Sequence, residues 1–395
     1  MSALSDLRVL DVSQVLAGPY AAMLLGDLGA DVIKVEAPEH GDHSRQMAPR
    51  ISDELSGAFL AVNRNKRGIS IDLKQAQGRA VLHRLAESAD VLIENFRPGV
   101  AARLGIDYES LAPVNPRLIH CSISGFGQTG PYASRGGFDL VAQGMSGLMS
   151  VTGSASGEPV KCGVPITDLG AGMFATYGIL AALAARSRTG RGQQVDTSLF
   201  ETGLGLEVWE AVEYFHTGNT PQPTGSAHRL GAPYQAFRCA DGYINVGADG
   251  ARHWPIFCKT IGAPELAEDP RFLTNPDRLA HLSDLVGCIE ERTIVETRAH
   301  WLGLLQEVGI PAGPINTVPE ALADPQARAR EMVIEVEHPT LGTTRALGPV
   351  VKLSDTPAAI TRAAPDLGQH TQEVLREIGL DDDEIAALRA DGVLG

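Results

Sequence analysis

A layered α/β fold with a mostly parallel sheet is what the amino-terminal third of the chain predicts, on two observations. Short β-branched runs recur at residues 8–12, 31–35, 69–73, 90–94 and 117–123, and helical patterns lie between most of them. Parallel strands need crossover connections, usually helical, so this rhythm places helices over a parallel sheet and ligands near the strands' carboxyl ends. Composition agrees: 395 residues with 44% hydrophobic and 21% charged side chains describe a globular chain long enough for more than one core.

The first strand is followed by Gly18-Pro19, with proline where the first turn of a helix tolerates its missing N–H. Free backbone donors at such a turn suit a phosphate or thioester, and a turn using Gly-Pro purely for its geometry fits equally well. It is not the glycine fingerprint of nucleotide redox cofactors. Residues 169–187 form a small-residue helical pattern in which Phe174, Tyr177, Leu180 and Leu183 share a packing face. A strand at 194–197 and a helical pattern at 199–215 follow, and then a polar, Pro/Gly-containing stretch from Thr217 to Ser226.

Beyond that, residues 234–246 read as a hairpin turning at Asp241-Gly242, and helical patterns fill 252–308. Residues 332–351 read as extended and 371–389 as helical. The expected organisation is a large Rossmann-like domain over 1–200, a linker over 201–225, a smaller α+β domain over 226–325, and a carboxyl-terminal segment, 326–395, that returns to the large domain.

The formal net charge of -15 disfavours general affinity for nucleic acid and leaves room for a local basic site for a small phosphorylated ligand. Five scattered cysteines with no CxxC pair read as reduced thiols, and no metal site is expected. The amino terminus lacks the basic and apolar regions of a signal peptide, and no uninterrupted apolar run reaches the roughly 18 residues that span a bilayer. A cytoplasmic location without a membrane partner is the expectation.

Asp168 stands in Gly163-Val164-Pro165-Ile166-Thr167-Asp168-Leu169-Gly170-Ala171-Gly172, just ahead of the small-residue helix. Position alone makes it a helix N-cap. The same local field would equally stabilise an anionic nucleophile, with Gly170 and Gly172 admitting substrate close to the backbone.

The ordered motifs decide between these. Leu16-Ala17-Gly18-Pro19, Leu25-Gly26-Asp27-Leu28-Gly29-Ala30-Asp31-Val32-Ile33-Lys34-Val35-Glu36, Asn63-Arg64-Asn65-Lys66-Arg67, Glu94-Asn95-Phe96-Arg97-Pro98-Gly99, Gly125-Phe126-Gly127-Gln128-Thr129-Gly130-Pro131, Asp168-Leu169 and Thr189-Gly190-Arg191-Gly192-Gln193 follow one another along the chain. Together they resemble the class III CoA-transferase (CaiB/BaiF) family across nearly the whole length. The resemblance implies an interlocked homodimer, with Asp168 at the family's nucleophile position. It implies no permanently bound cofactor, a coenzyme A thioester as donor and a free carboxylic acid as acceptor.

It also implies that Arg45, Lys74, Arg97, Arg103 and Arg135 lie at or near CoA-contact positions, with Leu16, Ala17, Leu73, Asn95, Phe96 and Phe138 along the adenine and pantetheine path. Taken singly, each basic residue reads as a solvated surface charge, and Lys66 and Arg67 read the same way. Asp139 either orients its neighbours, Asp168 among them, or makes a buried structural hydrogen bond. Oxyanion donors are expected from the first turn after Asp168 and from the loop Gly247-Ala248-Asp249-Gly250, which also reads as an ordinary turn. His228 or Arg229 is a candidate for a distal carboxylate.

The related α-methylacyl-CoA racemases carry a Gly-His-Asp motif where this chain has Gly137-Phe138-Asp139, so a proton-transfer imidazole is missing. Formyl-CoA:oxalate transferases have glutamine at the position of Leu16 and a four-glycine loop that this chain lacks. Ala227-His228-Arg229, Pro233-Tyr234-Gln235-Ala236-Phe237 and Asp241-Gly242-Tyr243-Ile244 resemble transferases that use succinyl-CoA and dicarboxylic acids. A thioesterase acting through the same Asp168 anhydride and a silent CoA-binding protein complete the alternatives; no GxSxG elbow supports the former.

Overall fold

The computed structural model describes residues 2–52, 55–154 and 157–395. One compact unit comprises Met1–Met149, Lys161–Gly218 and Gln326–Gly395, and a second comprises Ser150–Val160 and Asn219–Pro325. The first is built on six parallel strands, β1 (Arg8–Asp11), β2 (Asp31–Glu36), β3 (Lys66–Ser70), β4 (Val91–Glu94), β5 (Ile119–Ser124) and β6 (Gln194–Ser198), in the order β3-β2-β1-β4-β5-β6. The order reverses between β1 and β4, which opens a crevice at their carboxyl ends.

Both faces of the sheet are buried, as successive strand residues point to opposite sides. Val9, Val32, Val91, Ile93 and Ile119 pack under α1 (Ala17–Asp27). Leu10, Ile33, Ile69 and Leu92 pack with α2 (Ala76–Glu87) and the carboxyl-terminal helices Thr371–Glu377 and Asp382–Ala390. The chain's end joins this layer directly: Leu394 bridges to Ile71, and the Asp72 N–H donates to the Val393 carbonyl.

Further helices of the unit include α3 (Asp139–Ser146), α4 (Ile166–Thr189), α5 (Leu199–Leu206) and α6 (Val208–Thr217). By length and composition α4 is able to cross a membrane, but here one face of it is a core face, packed on α1 and the sheet. That face is Gly170, Ala171, Gly172, Ala175, Ile179 and Ala182, not the predicted set: Phe174, Tyr177 and Leu180 are exposed, and of the four only Leu183 packs against the core. Close helix contact is the cause. A Cβ on Gly172 would stand 2.8 Å from the Ala17 carbonyl oxygen of α1. The stretch from 201 expected as linker is also helical through Thr217, and irregular chain starts only beyond it. Ser198 caps α5 by accepting from the Glu201 N–H.

The third strand begins at Lys66, three residues before the prediction, because it opens on charges that hydrophobic periodicity reads as loop. Lys66 and Arg67 are not solvated. The Lys66 ammonium is fully buried, donating to Asp11 Oδ2 at 2.8 Å, the Pro19 carbonyl at 2.9 Å and Asn63 Oδ1 at 2.7 Å. Lys34, equally buried, donates to Asp42 Oδ2 at 2.8 Å and to the Ser13 carbonyl, and lies 3.7 Å from Asp11 Oδ2. Burial alone would raise the Asp11 carboxyl, yet the two ammonium groups hold it below its usual range. Burial and the nearby Lys34 push Lys66 down to about 8. Arg67 pairs with Asp31, Glu373 and Glu377, tying the carboxyl-terminal helix to β3.

In the second unit, β7 (Tyr234–Cys239) and β8 (Gly242–Gly247) form the expected hairpin, and β9 (Ala312–Pro314) adds antiparallel to β8. Helices α7 (His253–Thr260), α8 (Leu282–Thr293) and α9 (Arg298–Glu307) bury Trp254, Phe257, Leu285, Ile289, Trp301 and Leu305 against Phe237, Ile244 and Val246.

Removing Asp11 would leave two buried ammonium groups short of a counter-charge. Breaking such a buried pair costs about 3–5 kcal/mol. Asp11→Asn is therefore expected to lower the urea midpoint strongly at pH 7, and a midpoint equal to wild type would contradict this account of the network.

Candidate active site

Asp168 occupies the third position of α4, not its cap; Pro165 stands at the cap position and makes no side-chain bond there. The half-buried Asp168 carboxylate accepts no hydrogen bond from any described residue. Burial pushes it up to about 6, with the Asp139 carboxylate adding to the shift in the same direction and outweighing the favourable helix terminus. A carboxyl near 6 is still roughly nine-tenths ionised at pH 7. Its lone pairs are uncommitted.

Asp139, the first residue of α3, is fully engaged. Its Oδ1 accepts from the Thr167 N–H at 2.9 Å and the Thr167 hydroxyl at 2.8 Å, while Oδ2 accepts from Gln143 Nε2 at 2.7 Å. Gln143 in turn accepts the Cys162 N–H at 2.8 Å. These bonds lock the start of α4 to α3 and thereby fix the backbone immediately before Asp168. Phe138, the adjoining residue, is 73% exposed. The expected donors after Asp168 are already used: the Leu169 N–H bonds the Pro165 carbonyl at 3.0 Å, and from Gly170 onward the helix consumes its own. Only the N–H groups of Ile166 and Asp168 itself lack an acceptor among the described residues.

At the crevice between β1 and β4, the Asn95 side chain clamps the opposite loop. It donates to the Gln14 carbonyl at 2.7 Å and accepts the Gln14 N–H at 2.7 Å. Leu16 follows at the cap position of α1, Ala17 is buried behind it, and Phe96 packs on the sheet core while its N–H donates to Glu94 Oε2 at 2.7 Å. Burial first, and Asp196 beside it, push Glu94 up to about 7. Gly18 serves packing, since a Cβ there would fall 2.3 Å from the Ser13 side chain. Val15 adopts φ 67°, a left-handed conformation that costs a β-branched residue about 1–3 kcal/mol.

Of the expected cations, Arg97 is exposed, its guanidinium against Gly136 just before α3, where an added Cβ would meet it at 3.1 Å. Lys74 and Arg103 are exposed, Leu73 packs on the core behind them, and Arg135 lies over the Tyr132 ring at 3.9 Å. Arg45 is not the solvated charge it reads as singly. It is buried, paired in bidentate fashion with Glu36 at 2.7 Å, bonded to the Pro365 carbonyl and stacked on Phe59.

The second-unit candidates also cluster. The His228 ring meets Tyr234 edge-on, and Tyr234 pairs with Gly247 across the hairpin, while Arg229 is half-buried. The N–H groups of Gly247 and Ala248 bond the Pro311 and Pro233 carbonyls; those of Asp249 and Gly250 have no acceptor among the described residues. Arg278, unremarked in the sequence, is buried beneath this loop and donates to the Asp249 carbonyl at 2.7 Å and the Ala232 carbonyl.

Residues 4–371 match the model of CoA-transferase family III. A succinyl-CoA:glutarate CoA-transferase of Mus musculus is 40% identical over 100% of this chain and 91% of its own length. An acetyl-CoA:oxalate CoA-transferase of Acetobacter aceti is 42% identical over 83% of this chain and 85% of its own. A crystal structure of a CaiB/BaiF family protein from Brucella suis superposes with a TM-score of 0.87 at 40% identity, covering 95% of this chain and 99% of that one. With its six-stranded parallel sheet and its match over almost the full length, the chain belongs to CoA-transferase family III and is a CoA-transferase enzyme.

Proposed function

We propose that this enzyme moves CoA from an acyl-CoA donor, succinyl-CoA being the leading candidate, to a free dicarboxylic acid, with Asp168 carrying the acyl groups covalently. The observation that carries this reading is the Asp168 carboxylate itself: ionised at neutral pH, partly desolvated and bound to no donor, beside an Asp139 whose oxygens are all taken. A carboxylate in that state is a nucleophile that needs no base.

Asp168 attacks the thioester carbonyl; the C–S bond breaks, CoA leaves as thiolate and a mixed anhydride remains. The thiolate attacks the Asp168 carbonyl carbon and expels the donor acid, leaving an aspartyl-CoA thioester. Acceptor carboxylate attacks that carbon, releasing the thiolate and forming a second anhydride. Attack of the thiolate on the acceptor carbonyl yields acceptor-CoA and regenerates Asp168. No proton is consumed. The cations Lys74, Arg97, Arg103 and Arg135 are the candidates for the CoA phosphates, with Leu16, Ala17, Asn95 and Phe96 along the crevice. Asp139 acts by positioning Asp168. Racemisation is disfavoured because Phe138 offers no proton to exchange. The glutarate and oxalate in the names of the two relatives support a dicarboxylate acceptor, for which His228 and Arg229 remain the candidate contacts.

A homodimer belongs to the same proposal. Met173, Phe174 and Tyr177 of α4, and Val208, Val212 and Phe215 of α6, are large apolar side chains exposed on a single chain, and exposed apolar patches mark sites of protein–protein contact.

Three outcomes are expected. In a matrix of acyl-CoA donors and free acids, wild type forms acceptor-CoA with dicarboxylates and Asp168→Ala falls by at least about 10³-fold, the scale of losing a covalent route; epimerisation of a chiral 2-methylacyl-CoA without CoA transfer would overturn the assignment, and hydrolysis alone would point to a thioesterase. The pH profile of kcat/KM has an acid limb near 6, lost as pH falls because protonation removes the nucleophile, and Asp139→Asn shifts that limb to lower pH by removing the like charge; a limb that stays in place argues against the pairing. Light scattering gives a dimer mass, and Tyr177→Glu with Phe215→Glu shifts it towards monomer or aggregate; a monomeric wild type would refute the dimer.

A further inference from the structure

We infer that Asp42 is a positioning residue for CoA binding, holding the loop at residues 13–16 in a preset, left-handed conformation before any substrate arrives. The inference rests on the proposed placement of CoA in the crevice between β1 and β4.

Val15 is the starting point. Among the described residues three non-glycine residues have positive φ, and only Val15 (φ 67°) is β-branched, the type for which that region is least accessible. Its side chain is 36% exposed, so core packing does not impose the conformation. What does is a pair of hydrogen bonds from the Val15 N–H to Asp42 Oδ1 at 3.0 Å and Oδ2 at 3.2 Å. The two residues before it are held as well. Lys34 bonds the Ser13 carbonyl, and Asn95 takes both backbone groups of Gln14.

Asp42 is itself immobilised. Its Oδ1 accepts from the Ser44 N–H and hydroxyl, each at 2.8 Å, its Oδ2 accepts from Lys34 at 2.8 Å, and its own N–H donates to Glu36 Oε2 at 2.8 Å. Burial works against its charge, but Lys34 and these N–H donors keep the carboxyl well below its usual range, so the clamp is ionised throughout the working pH range. The buried charges therefore reach Val15 through the Asp42 carboxylate, beside the direct bond from Lys34 to the Ser13 carbonyl. Left-handed geometry at Val15 lies between Gln14, which Asn95 holds, and Leu16, which occupies the cap position of α1. Asp42 touches neither substrate nor reacting atoms; it acts through the loop.

The test compares Asp42→Asn, Val15→Gly and the double variant in acyl-CoA saturation kinetics, alongside Lys74→Ala and Arg97→Ala. Asn keeps one acceptor but loses the charge, so KM for acyl-CoA is expected to rise about tenfold, equivalent to about 1.4 kcal/mol, with kcat nearly unchanged. Val15→Gly alone leaves KM close to wild type. In the double variant most of the loss is recovered, because glycine adopts positive φ without a clamp. A merely structural Asp42 gives no such rescue: equal KM values for the single Asp42→Asn and the double variant overturn the inference, as does an unchanged KM in Asp42→Asn. If Lys74→Ala and Arg97→Ala raise KM while Asp42→Asn does not, the positioning role alone fails; if none of the three does, the crevice reading fails with it. Hydrogen exchange on wild type supplies a readout independent of the variants' folding. The segment at residues 13–18 is expected to be protected without CoA, and protection that appears only after CoA is added contradicts a preset loop.

Discussion

The ion cluster Asp11–Lys34–Lys66–Asp42 is the constraint on which the rest of the first unit depends. Its members come from the ends and middles of three adjacent parallel strands and from the turn after β2, and two of them are ammonium groups without solvent contact. Burying such charges is costly unless every donor finds a partner. Here the unpaired donors reach backbone carbonyls of Ser13 and Pro19, so the cluster joins the sheet to the loop after β1 and to the first turn of α1. The energy of matching charges is spent on shape at the ligand end of the sheet. A hydrophobic cluster of the same volume would fill the space without fixing those carbonyls.

A second constraint operates at Asp168. A half-buried carboxylate that accepts no hydrogen bond from any described residue is in a destabilising state for a folded protein. The chain tolerates it by satisfying most of the polar groups around it. Asp139 is saturated by Thr167 and Gln143, Gln143 extends to the Cys162 backbone, and the small-residue face of α4 packs tightly on α1. Among the described residues the Asp168 carboxylate is left without a donor beside the saturated Asp139, a local inconsistency of the kind that functional sites show.

Much of this was legible in the sequence, and the departures share physical causes. β-Branched runs at 8–12, 31–35, 90–94 and 117–123 mark four strands of the sheet because apolar burial on both faces is the signal that periodicity detects. The start of β3 was hidden, since Lys66 and Arg67 look solvated until Asp11, Asp31 and Glu377 are brought to them by the fold. The burial of Arg45 was hidden for the same reason: no local pattern announces Glu36 and Pro365 as partners. On α4, Phe174 and Tyr177 made the more hydrophobic stripe, but glycine and alanine formed the buried one, because backbone proximity to α1 outweighed side-chain size. Asp168 was singled out through its motif, while its lack of hydrogen-bond donors and the saturation of Asp139 needed coordinates. Asp42 and Arg278 left no signal in the sequence beyond ordinary polarity, and Glu94 stood out only as the first residue of its motif.

The central claim is covalent, and trapping tests it most directly. Enzyme incubated with acyl-CoA donor in the absence of acceptor, quenched with hydroxylamine and digested, is expected to carry a hydroxamate on the peptide containing Asp168, in a donor-dependent manner. An unmodified Asp168 with the label on another residue, or no label under conditions that support turnover, would contradict the account.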